Sequence, residues 1–112
     1  MNSEIEVTFI TCPQNDAEKI ASALVDERLA ACVNIIPQVT SIYRWKGSVE
    51  KSAESLLIVK STAGRRERLE ERVLELHPYS CPEIITLTVN AGFGEYLSWI
   101  ASETSSGRER NE

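Results

Sequence analysis

The chain has 112 residues, 42% of them apolar, and a formal net charge of −5 from 12 basic and 17 acidic side chains. That is one domain with a modest core, and the acidic balance argues against a nucleic-acid backbone or an anionic membrane as the main partner. Apolar runs such as LLIV at residues 56–59 are far short of a membrane span, and the opening MNSEIEV shows no signal-peptide pattern, so a cytoplasmic protein is expected.

IEVTFITC at residues 5–12 alternates Ile5, Val7 and Phe9 with Glu6, Thr8 and Ile10, which predicts a strand ended by Pro13. Asn15 is placed to cap the following helix, with Glu18 as its capping-box partner. Ala17, Ile20, Ala21, Leu24, Val25 and Leu29 then recur at helical spacing through DAEKIASALVDERLAA, giving one buried stripe.

Residues 31–62 read as two long strand-like runs folded at Gly47, with the turn at Lys46-Gly47 or Gly47-Ser48. Pro37 cannot donate a ladder hydrogen bond, so it marks an edge, a bend or a bulge. The apolar run at 56–59 implies burial on both faces. Over residues 64–77 the charges alternate in sign while Leu69, Val73 and Leu76 keep helical spacing, so a second helix with a solvated outer face is expected, stopped by Pro78. EIITLTVNA (83–91) is a fourth strand. FGEYLSWIA (93–101), with Phe93, Tyr96, Leu97 and Ile100 at helical spacing, is a short last helix. Residues 102–112 hold no apolar group and are expected to form a disordered polar tail after a single domain of residues 1–101.

Strand, helix, strand, strand, helix, strand is the split βαβ, or ferredoxin-like, order of an α+β fold with an antiparallel sheet. Two helices on one face leave the other bare, and something must cover it. Each hairpin arm of roughly 14 residues spans about 45 Å at ~3.3 Å per residue. A compact chain of this size has a diameter near 34 Å, so the arms overhang by roughly 10 Å. Tyr43 and Trp45, two apart and on one face, lie in that overhang. Burying both removes ~300–500 Å² from water, at most about 8–12 kcal/mol. That points to another chain as the cover.

The stretches LAACVNIIPQVTSIYRWKGSVEKSAESLLIVKST, HPYSCPEIITLTV and EYLSWI resemble the CutA divalent-cation-tolerance family, over about residues 7–100. The resemblance implies a ferredoxin-like homotrimer similar to the PII signalling proteins, with the long hairpin pairing onto neighbouring subunits and Tyr43 and Trp45 in the interface. It also implies a relation to divalent metals and to copper binding, through a cysteine at the end of the first strand and a histidine pair before Pro-Tyr. Here His77, directly before Pro78-Tyr79, matches the second histidine, while Leu76 stands at the first. Ile10 stands at the cysteine position, and Cys12, two residues on and on the same strand face, is a substitute. Cys32 matches a cysteine of the LAAC motif. Cys81, four residues after His77, adds a thiol suited to copper or zinc. The expected metal set is therefore His77, Cys12 and Cys81, incomplete against the family pattern.

The three cysteines, odd in number and without a C-x-x-C, exclude a disulfide framework and a closed Cys₄ zinc site within one chain; reduced thiols fit. The one histidine has no evident nucleophile partner, and no phosphate loop or G-x-S-x-G occurs, so no catalytic residue is expected. SLLIVKST carries no aromatic, as an RNA-recognition strand would need. Two readings remain: a trimeric, non-enzymatic metal-response protein, or a PII-like trimeric regulator that senses a small metabolite in inter-subunit clefts.

Overall fold

A computed structural model describes residues 4–105. Four strands and three helices follow in the expected order. They are β1 (Ile5–Cys12), α1 (Gln14–Asp26), β2 (Cys32–Trp45), β3 (Ser48–Thr62), α2 (Arg66–Leu76, led in by a 3₁₀ turn at Ala63–Arg65), β4 (Ile84–Thr88) and α3 (Gly94–Glu103). The sheet order is β2-β3-β1-β4, and every neighbouring pair is antiparallel. Each helix crossover thus skips one strand, as the ferredoxin-like arrangement requires.

The register sorts the side chains into two faces. Val33, Val59, Thr8 and Thr86 form one row across the sheet, and Ile35, Leu57, Ile10 and Ile84 the next. This face carries the core: Ile10, Cys12, Leu57 and Val59 pack with Ala17, Ile20 and Leu24 of α1 and Leu69 and Val73 of α2. Thr8 and Thr86 satisfy each other through their hydroxyls at 2.8 Å, and buried Glu6 is paired with Arg66. The opposite face holds the rows Cys32–Lys60–Val7–Leu87 and Asn34–Ile58–Phe9–Ile85, and the row Ile36–Leu56–Thr11. Only its Ile5 corner is packed, by Ile100 with Leu97 and Ala101 of α3. Ile85 and Leu87 remain about half exposed. The run at 56–59 is therefore buried on one face and half-covered on the other.

The hairpin is as long as the sequence implied. Its arms have 14 and 15 residues, and the molecule measures 52 × 27 × 22 Å. The turn is Lys46-Gly47, with φ of 51° and 85°. Positive φ at both positions is the type I′ geometry that matches strand twist, and glycine takes the second without strain. Pro37 sits at a bulge: pairing moves from Ile36↔Leu56 to Val39↔Glu54, so Pro37 and Gln38 face Ser55 alone. The carbonyl freed there accepts from Ser55 Oγ at 2.7 Å and from Gln14 Nε2 at 2.6 Å.

Several local expectations need correction. No side chain caps α1; Pro13 takes the N-cap position, and Asn15 is already inside the helix. Proline presets the entry φ, and the start lies two residues earlier than expected. The helix ends at Asp26 rather than running through the LAA segment, because Arg28 adopts φ 60° and turns the chain. Leu29 is buried nonetheless, while Val25 is 40% exposed. The boundary at residue 101 also moves. Helix α3 continues through Glu103, Arg28 bonds both the carbonyl and the carboxylate of Glu103, and Thr104 is buried against Thr62. Residues 102–105 thus belong to the fold, and the rest of the expected tail lies outside the described residues.

Candidate functional site

Below the hairpin, at the Cys12 end of β1, the segment 77–83 folds back onto the sheet. Its path starts with Pro78, which bars the preceding residue from helical geometry. His77 accordingly leaves α2 with ψ 134°, while its N–H still bonds the Val73 carbonyl at 2.8 Å. The ring turns inward and is 7% exposed. Its Nε2 lies 2.7 Å from the Thr11 carbonyl oxygen, and the Tyr79 N–H donates to Nδ1 at 3.2 Å. A carbonyl only accepts and an amide N–H only donates, so the proton sits on Nε2. Both ring nitrogens are committed to holding the loop, and the ring also packs on Tyr79, centroids 4.8 Å apart.

Tyr79 carries the link onward. Its hydroxyl donates to Glu54 Oε2 at 2.9 Å. Burial, then the hydrogen bond and charge of Glu54, push the phenol up to about 12. Glu54 is 5% exposed, although it lies on the hairpin arm. By strand alternation it shares the open face with Leu56 and Ile58, and its pairing brings Val39, Ser41, Tyr43 and Trp45 to that face too. The result is a cleft of about 590 Å³ between the hairpin and the 77–83 loop. Tyr43, Trp45 and Tyr79 supply aromatic surface, Glu54 and Glu83 supply carboxylates, and Ser41, Ser80 and Thr11 supply hydroxyls. Thr11 Oγ1 donates to Glu83 at 3.3 Å, and Ser52 Oγ lies 3.3 Å from the Tyr43 hydroxyl.

The expected metal set is not assembled as one donor group. Cys12 is fully buried in the helix-side core, its thiol pushed up to about 11 by burial and then by the charges of Asp16 and Glu54. His77 has both nitrogens occupied, and a metal at either would displace a hydrogen bond. Cys81 is exposed and lines the cleft. Among the described residues, no group of three or more His, Cys, Asp or Glu side chains is placed to hold a metal ion. Cys32, half-buried on the open sheet face beside Asn34 and Lys60, is remote from the cleft lining. Tyr43 and Trp45, expected in an interface, are 43% and 46% exposed on the cleft wall. The sequence reading missed Glu54, Tyr79 and Glu83. The available signal for Glu54 was parity, a lone carboxylate in step with Leu56 and Ile58.

Comparison with known proteins settles the family. The profile of the CutA1 divalent ion tolerance protein matches residues 6–103. The chain belongs to the CutA1 family. It is similar to the divalent-cation tolerance protein CutA of Thermus thermophilus, 53% identical over 100 residues, covering 88% of this chain and 97% of that protein. It is 44% identical to human protein CutA over 103 residues, which are 91% of this chain but 58% of the human protein's length. Among solved structures, the Thermus thermophilus divalent cation tolerance protein superposes with a TM-score of 0.88 at 52% identity, covering 90% of this chain and 99% of that one. A PII-like CutA from Nostoc superposes with a TM-score of 0.85 at 39% identity, covering 89% and 97%. The α+β fold with its antiparallel sheet is thus that of the CutA proteins. No helix among the described residues is long and apolar enough to cross a membrane.

Proposed function

We propose that this protein acts in divalent-cation tolerance as a non-enzymatic homotrimer that takes up copper or another divalent ion. The observation that carries the reading is the uncovered sheet face. Ile36, Ile85 and Leu87 stand out of it, Val7, Phe9, Leu56 and Ile58 are only partly covered, and the hairpin overhangs beside it. A contiguous apolar surface of this kind marks an interface, and a two-stranded ribbon is marginal in water by itself. Copies of the chain are the proposed cover. The family's name speaks of divalent ion tolerance, which supports the metal part of the reading.

His77, Cys12 and Cys81 are the proposed metal donors, with Cys81 the point of entry because it alone of the three is exposed. Soft thiolate and imidazole donors suit copper or zinc. Uptake at His77 costs one of its hydrogen bonds to Thr11 or Tyr79, which makes binding weak. The free thiols support a cytoplasmic location, although relatives are described as periplasmic in Archaeoglobus fulgidus and chloroplastic in Arabidopsis thaliana.

A second reading is favoured by the cleft, whose size is that of a small-molecule site, and by the likeness to the PII-like Nostoc protein. On this reading the protein is a regulator that senses a metabolite. Calorimetric titration of the purified assembly with copper(I), copper(II) and zinc, beside a panel of nucleotides, separates the two. The metal reading expects binding of copper or zinc that Cys81→Ser weakens. If wild type, Cys81→Ser and His77→Ala titrate alike with every metal, the metal reading fails.

A further inference from the structure

The hairpin leaves the body of the molecule at one place. Strand β3 has β1 as a second neighbour only from Ser55 to Thr62, because the pairing of β1 ends at Cys12↔Ser55. Beyond Ser55 the arm is a two-stranded ribbon, and opposite Ser55 stands the bulge at Pro37 and Gln38. A bulge bends its strand and adds twist, so this one sets the angle between arm and body. The bend is held from the body. Gln14, the first residue of α1, and buried Ser55 both donate to the Pro37 carbonyl, and Gln14 Nε2 also lies 3.5 Å from Gln38 Oε1. From the open side of the sheet Tyr79 holds Glu54. Among the described residues, the side chains of residues 39–53 hydrogen-bond only within the hairpin, Ser52 with Tyr43.

We propose that the Pro37 bulge, with Gln14 and Ser55 as its two donors, aims the hairpin at neighbouring copies of the chain, so that both are positioning residues for assembly. This inference rests on the assembly reading above and names the residues that control it. From Val39 to the turn the arm runs about 25 Å at ~3.4 Å per residue, so a change of about 10° at the bulge displaces its tip by about 4 Å. That is close to the ~4.8 Å between neighbouring strands, enough to carry the tip out of register with a surface on another copy. An arm already held at its angle also avoids the ordering cost that association otherwise carries. Pro37 is exposed, so water takes up its carbonyl when the side chains are lost. Water satisfies the oxygen but fixes no angle. Loss of the two donors is therefore felt in assembly more than in the fold of one chain.

The test is light scattering on dilution series of the full-length protein, at a urea concentration that half-dissociates the wild type, with hydrogen exchange measured in the absence of urea. Gln14→Glu is close in size to glutamine and suits a helix N-terminus, but its carboxylate cannot donate. Gln14→Lys keeps a donor and places an unfavourable cation there. If Gln14 acted only through the stability of α1, glutamate would assemble better and lysine worse. An aiming role predicts the reverse. Gln14→Glu combined with Ser55→Ala should raise the concentration at half-dissociation by at least about tenfold. Gln14→Lys should stay near wild type, and the amides of β1 and α1 should keep their protection in every variant. Equal dissociation of wild type and the double variant overturns the proposal, as does Gln14→Lys dissociating as readily as Gln14→Glu. Protection lost across β1 and α1 overturns it in favour of plain stabilisation of the fold. A wild type of one chain mass without urea overturns the assembly reading and the proposal together.

Discussion

Removing the His77 ring distinguishes a loop anchor from a metal ligand. In His77→Ala the Thr11 carbonyl loses the donor at 2.7 Å and the Tyr79 N–H loses its acceptor at 3.2 Å. The ring is 7% exposed, so water replaces it poorly. A buried group left without its partner costs ~1–3 kcal/mol. Two such groups, one of them partly relieved by solvent at the loop, give a loss of about 2–4 kcal/mol. For a domain of this size that lowers Tm on the order of 10–20 °C at fixed protein concentration. The assay is a thermal melt of metal-free protein in chelator. His77→Gln, whose amide can still donate toward Thr11, should recover part of the loss. A metal-free His77→Ala that melts within about 2 °C of wild type would refute the anchoring argument, because a side chain reserved for metal has no work to do in its absence.

Three further outcomes follow from the same geometry. In native protein at pH 8 a thiol reagent should label Cys81 at once and leave Cys12 unreacted until denaturant is added, since Cys12 is buried and its thiol is pushed up to about 11. Stability should fall as pH rises from 9 to 11. The unfolded chain loses the Cys12 proton near its ordinary value of 9.0 while the native state keeps it to about 11, so the contribution is complete below pH 9 and lost above. Tyr79, pushed up to about 12, extends the decline, and melts of Cys12→Ala should show a flatter slope between 9 and 11. Truncation after Ala101 removes Glu103 from Arg28 and Thr104 from its buried place against Thr62, and should lower stability by ~1–3 kcal/mol in urea melts.

The fold was legible because its signals are periodic. Alternation in β1 and β4, helical spacing in α1 and α2, and the long runs around Gly47 each depend on which face is buried, and the core follows that pattern. The ends of elements were less legible. Arg28 enters a left-handed conformation with no glycine to announce it, and Thr104 is polar yet buried, so neither carries a compositional mark. The resemblance located His77 and the cysteines but not their relations. A cysteine on a strand can face core or solvent, and only the register shows that Cys12 faces the helices. The cleft was hidden for another reason. Thr11, Glu54 and the pair Tyr79 and Glu83 come from three separate segments, and the hydrogen bonds that join them are long-range contacts that no local pattern specifies. The hairpin argument fared better because length alone decides it: arms of 14 and 15 residues reach beyond a compact body whatever their side chains.

The central claim is that the open sheet face and the overhanging hairpin are covered by copies of the same chain. A stable interface buries ~1,200–2,000 Å² in total. Light scattering on a dilution series at micromolar concentration measures this directly. The account predicts a particle of about three times the 12.5 kDa chain mass, constant across the series. A folded particle of one chain mass at those concentrations, with Ile85 and Leu87 left in water, would contradict it.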